Sequence, residues 1–177
     1  GKSLAMSTFG TAPLEAGVRL NAAHIDSPRL DLKPNPVYEN HEMAYFKTHY
    51  YGGIRKYQWA AIPLALHGKI VRADGTAFDV KIGEDDNDPV FYISDLLPHL
   101  AAKQNAKPLG EGLGGEDLNI WLGNMPYTAA EEDKDKTVKE NLLRILHEKY
   151  GIVEEDFISA ELEAVPAANA RDLGFDR

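Results

Sequence analysis

Residues 69–82 read KIVRADGTAFDVKI. Asp74-Gly75 separates two runs in which apolar and polar residues alternate, 69–72 and 76–82. Asp-Gly at such a junction favours a tight antiparallel turn, because both residues tolerate the left-handed backbone that the turn needs. The stretch therefore predicts a β-hairpin. Working outward, residues 57–70 read as a strand-pair region, with Pro63 forcing an edge or a bend. His67-Gly68 marks a bulge or a place where two backbones come close.

Beyond the hairpin, residues 131–150 carry a helical period. Val138, Leu142, Leu143, Ile145, Leu146 and Tyr150 fall on one face and the charges on the other. Glu131, Glu132 and Asp133 stand in the first turn, and His147 and Lys149 in the last, as the macrodipole favours. Gly151 is the stop. Ser94-Asp95 offers an N-cap for a second helix over about 96–104, with Pro98 confined to its first turn. Short strands are expected over 4–11, 18–25, 90–93, 118–122 and 157–165. Another is expected at 30–33, broken by Pro34 and Pro36. Residues 39–53 are rich in aromatics and carry no clear period. The pattern is α+β, rich in strand, with two or three helices.

Composition narrows the function. The 177 residues include 19 Lys and Arg against 28 Asp and Glu, a formal charge of -9. Such a chain is repelled by phosphate backbones and anionic lipid, so neither nucleic acid nor a membrane surface is an expected partner. There is no cysteine, so a metal would be held by His and carboxylates. That absence also fits a reducing compartment. No apolar run reaches the ~18 residues of a membrane span, and residues 1–11 lack a signal-peptide pattern.

One constellation carries chemistry. His24-Ile25-Asp26 ends an apolar run and is followed by Ser27-Pro28. On a strand, residues two apart share a side, so His24 and Asp26 are expected to face one spot past the strand's carboxyl end. A carboxylate beside a metal-binding imidazole orients the ring and raises its basicity. Taken alone, a His-x-Asp is more often a hydrogen-bonded structural pair.

The sequence Ala23-His24-Ile25-Asp26-Ser27-Pro28-Arg29-Leu30 resembles the metal-ligand segment of the aspartyl aminopeptidase family, its bacterial branch above all. The likeness continues in Tyr51-Gly52-Gly53, Trp59, 63–71, 83–89 and 95–100. It implies a cytoplasmic enzyme with two metal ions, zinc first and cobalt or manganese as alternatives. Such an enzyme removes N-terminal, often acidic, residues from peptides. By resemblance His24 is a metal ligand and Asp26 the catalytic-site acid that orients it. The bridging Asp, the Glu pair with the general base, a further carboxylate and a second His lie further along in the family, and none is found here. The implied chain is thus a piece of the enzyme, inactive alone and not expected to hold the metals. Its fold is implied to be a mixed, β-rich inserted dimerisation domain over 43–156. Flanking it would be truncated α/β catalytic segments, 1–42 before and 157–177 after. Dimers would build a larger homo-oligomer. Some relatives place a His that reaches the neighbouring subunit where this chain has Tyr57, so that role stays unassigned.

Other residues have plainer readings. Glu131-Glu132 and Glu154-Glu155 precede the point where the catalytic fold should resume and are rejected as the catalytic pair. His49 and His67 lack partners at ligand spacing, and His41, His99 and His147 read as surface or helix-end residues. The acidic stretch 84–88 lacks calcium-loop spacing and reads as a solvated turn. Residues 110–115, GEGLGG, lack the Gly-Lys-Ser/Thr ending of a phosphate loop. Two non-enzymatic alternatives remain open: an oligomerisation module, and a domain that binds peptides along a strand edge.

Overall fold

The computed structural model describes residues 3–127 and 137–176. Its centre is one antiparallel sheet of six strands: β1 (Arg29–Asn40), β2 (Met43–Tyr51), β3 (Leu64–Val71), β4 (Ala77–Ile82), β5 (Ile120–Gly123) and β6 (Glu161–Pro166). Across the sheet they run β4-β3-β6-β1-β2-β5. A short helix α1 (Ala102–Asn105) lies in the long connection before β5, and α2 (Val138–Tyr150) follows it. The α+β class is as expected.

The Asp-Gly hairpin forms as read. β3 and β4 pair from Leu66↔Ile82 to Val71↔Ala77, and the Asp74 carboxylate accepts from the Thr76 amide at 2.8 Å. The β1–β2 hairpin is longer than its sequence suggested. Pro34 and Pro36 do not end β1; they sit in a register shift between Leu32 and Val37, where Asn35 takes a φ of 54°. The bulge removes the ladder bonds that proline cannot donate. The turn beyond it is His41-Glu42, with φ of 50° and 58°, a two-residue turn built without glycine.

Helix α2 begins at Thr137, which forms a capping box: its hydroxyl accepts from the Glu140 amide at 3.2 Å, and its own amide donates to Glu140 at 2.8 Å. The expected acidic first turn at Glu131, Glu132 and Asp133 lies outside the described residues. The far end is as read: Gly151 is left-handed at φ 66°, and its amide donates to the His147 carbonyl.

Three further expectations are corrected. Residues 4–11 and 18–25 are not strands. They are exposed and pair with no described strand, and the 3-10 turn Leu14–Ala16 lies between them; without a neighbour to share ladder bonds, an apolar run has no reason to stay extended. The helix over 96–104 shrinks to the single turn α1, because Leu96, Leu97 and Leu100 are exposed and give it no face to bury. The start of the last strand is also later, since Glu154–Ser159 is 3-10 helix before β6.

The core lies on the sheet face that meets α2 and the 3-10 segment. Leu30, Phe46, Leu64, Ile70, Ile82, Ile120, Ile152, Phe157 and Leu162 are buried in one cluster, with Leu143, Leu146 and Tyr150 of α2 packed against it. β6 joins this core to both hairpins. The 43–156 limits fall inside the sheet: β1 precedes them and β6 follows, yet these are adjacent strands pairing at Leu30↔Ala164 and Asp31↔Glu163. The compact unit therefore runs from Arg29 to Pro166.

The expected close approach at Gly68 is present. Its φ is 145°, and a Cβ there would overlap the Glu161 carbonyl of β6. Gly68→Ala is expected to cost about 2–4 kcal/mol, since neither backbone can yield. Denaturant unfolding checks this, and a midpoint like that of the parent would show that β3 and β6 can separate slightly without loss.

Candidate functional site

The site begins where β1 begins. Residues 21–28 lead into Arg29 without strand structure, so the alternation argument for His24 and Asp26 does not apply. Their side chains meet nonetheless: His24 Nε2 lies 2.9 Å from Asp26 Oδ1. The pair is open to solvent, with 82% of the imidazole and 46% of the carboxylate exposed.

The sheet reaches this pair through β2. The last residue of β2 is Tyr51, whose register partner is Arg29. The Tyr51 hydroxyl donates to Asp26 Oδ2 at 3.2 Å. The Arg29 guanidinium lies over the Tyr51 ring, 3.9 Å from its centroid. Arg29 is itself tied down, with Nε 2.8 Å from Asp31 Oδ1 and 2.9 Å from Glu163 Oε1. Burial works against the Arg29 charge, but the hydrogen bond and charge of Asp31, then the charge of Glu163, raise its pKa above the usual value.

No role for Arg29 or Tyr51 was expected from the sequence. The signal was nevertheless there: once residues 43–51 pair with 29–40, a Tyr at the strand end falls opposite Arg29, three residues after Asp26.

The other candidates resolve into structure. His49 stacks flat on Tyr50 at 5.6 Å. His67 Nε2 contacts Glu84 Oε1 at 2.8 Å. Glu84 also pairs with Lys81 at 2.8 Å, and the hydrogen bond from Lys81 chiefly holds its carboxyl below the usual range. In the same acidic loop Asp88 accepts from the Gly83 amide at 3.0 Å, which closes a turn. Glu154 pairs with Lys139 at 2.6 Å. His41 sits in the β1–β2 turn, and His99 and His147 are exposed.

An imidazole and a carboxylate are donors of the type zinc accepts, but zinc takes four. Among the described residues no three His, Asp or Glu side chains converge so as to hold a metal ion. His24 with Asp26 suits one corner of a metal centre and cannot make one alone.

Comparison with known proteins bears on that chemistry. A family model described as aminopeptidase I zinc metalloprotease (M18) matches residues 1–177. The chain is 58% identical over 177 residues to a probable M18 family aminopeptidase 1 of Clostridium acetobutylicum, covering 100% of this chain and 38% of that protein. It is 52% identical over 164 residues to the probable M18 family aminopeptidase 1 of Thermotoga maritima, covering 93% and 35%. The crystal structure of aminopeptidase I from Clostridium acetobutylicum superposes with a TM-score of 0.80 at 52% identity, over 94% of this chain and 36% of that one. The chain thus spans well under half the length of these relatives. It belongs to the M18 family of aminopeptidase I zinc metalloproteases.

Proposed function

We propose that this chain is part of a two-zinc aminopeptidase that removes N-terminal, preferentially acidic, residues from peptides in the cytoplasm. The observation that carries the reading is the 2.9 Å contact between His24 and Asp26 in a chain of a zinc-metallopeptidase family. His24 presents Nε2 to the carboxylate, and its other ring nitrogen would hold a metal ion. Asp26 fixes the ring's angle and keeps that second nitrogen basic. Zinc bound there would supply an activated water and polarise the first peptide carbonyl. The general base and the remaining ligands come from parts of the protein outside this chain, so the chain alone is expected to show no peptidase activity. Cobalt or manganese could stand in for zinc, since imidazole and carboxylate discriminate poorly among these ions. The cysteine-free composition supports the cytoplasmic assignment, and among the described residues no helix is long and apolar enough to cross a membrane.

The compact unit from Arg29 to Pro166 is proposed as the inserted domain, and the segments on either side as catalytic-domain chain. Its role is to pair subunits into a homo-oligomer. The support is the apolar surface of the connection between β4 and β5, where Val90, Leu96, Leu97, Leu100 and Leu109 are exposed.

Two measurements test these readings. His24→Ala in the full-length protein is expected to lose zinc at one site, read by elemental analysis; a full zinc complement would remove His24 from the ligand set. Leu97→Asp with Leu100→Asp is expected to shift the full-length protein toward smaller species in sedimentation. An unchanged assembly would place the contacts elsewhere.

A further inference from the structure

We infer that Tyr51 is a positioning residue for the His24–Asp26 pair: its hydroxyl, referenced to the central strands, sets the angle at which Asp26 meets the imidazole. This rests on the reading of His24 as a metal ligand. A carboxylate has two oxygens, and here each has its own partner. Oδ1 contacts His24 Nε2 at 2.9 Å, and Oδ2 accepts from the Tyr51 hydroxyl at 3.2 Å. Held at one oxygen, the group swings about its Cα–Cβ and Cβ–Cγ bonds. Held at both, its plane is set, and the imidazole follows it.

The hydroxyl is a fixed reference because its ring is fixed. Tyr51 ends β2 as the cross-strand partner of Arg29. The guanidinium over its ring is held by Asp31 of β1 and Glu163 of β6. Three strands therefore define where the hydroxyl points. His24 and Asp26 themselves lie in a stretch without ladder bonds, so their geometry has to be imposed from outside it. The contact needs the hydroxyl, while the stack on Arg29 needs only the ring, which lets the two roles be separated by one atom.

The test measures zinc affinity of the full-length protein by chelator competition, for Tyr51→Phe, Asp26→Asn, the double variant and His24→Ala. Tyr51→Phe keeps the ring over Arg29 and is expected to bind zinc about tenfold more weakly, the lower end of what outer partners of a metal ligand contribute. The double variant is expected to bind no more weakly than Asp26→Asn alone, because Tyr51 acts through that carboxylate. Tyr51→Phe binding zinc like the parent overturns the inference, and so do losses that multiply in the double variant. Should Tyr51→Phe also lower the thermal midpoint, the Asp26→Asn background still decides: a merely structural role weakens binding there too. If His24→Ala loses zinc and Tyr51→Phe does not, Tyr51 alone is misassigned. If His24→Ala keeps its zinc, the metal-ligand reading falls and takes this one with it.

Discussion

Everything in the sheet passes through β6. The β3–β4 hairpin lies on one side of it and the β1–β2 hairpin, extended by β5, on the other. A hairpin alone is marginal in water. Two hairpins become one sheet only when the six residues Glu161–Pro166 enter between them. That entry is sterically exact on one side, where the Gly68 backbone lies so near the Glu161 carbonyl that no side chain fits. On the other it is electrostatic, where Glu163 reaches Arg29. Leu162 and Ala164, pointing to the other face, complete the core.

The same strand thereby sets the place where chemistry is expected. Glu163 of β6 and Asp31 of β1 hold Arg29, Arg29 holds the Tyr51 ring, and the Tyr51 hydroxyl reaches Asp26. A charge on the last strand is thus four contacts from an imidazole on a segment that precedes the first. This is why a residue distant in sequence from His24 belongs to any account of its orientation. It is also why the limits of a functional unit are better drawn by sheet register than by where a motif ends.

The parts of this fold legible in the sequence were those decided locally. Asp74-Gly75 specifies its turn through the left-handed backbone of Gly75, at φ 85°, and the Asp74 carboxylate that accepts from the Thr76 amide. The α2 stop at Gly151 and the close approach at Gly68 are likewise marked by glycine. The parts that were not legible depend on partners. Residues 4–11 and 18–25 have strand composition, yet strand is a shared structure, and they have no described neighbour to share it with. Pro34 and Pro36 looked like an end because the bulge that absorbs them is a property of two strands, not one. His41-Glu42 carries none of the usual turn residues, and its left-handed backbone is held by the ladder on either side. At the site, His24 and Asp26 could be singled out by spacing and by likeness to a family. Arg29 and Tyr51 could not, because their roles exist only in the β1–β2 register.

The exposure of His24 and Asp26 bears on what their contact is for. A polar side-chain contact open to water contributes about 0–1 kcal/mol, because solvent competes for both partners. At 82% and 46% exposure this pair does little to hold the fold together. The dependence runs the other way: the sheet holds the pair, through a ring and a guanidinium that are better anchored than either of its members. Such an arrangement gains strength when the surroundings become dry, since each hydrogen bond and charge acts more strongly as the dielectric falls. Enclosure of His24 by further protein would therefore turn a weak surface contact into a firm constraint on one ring, with its angle already set from the central strands.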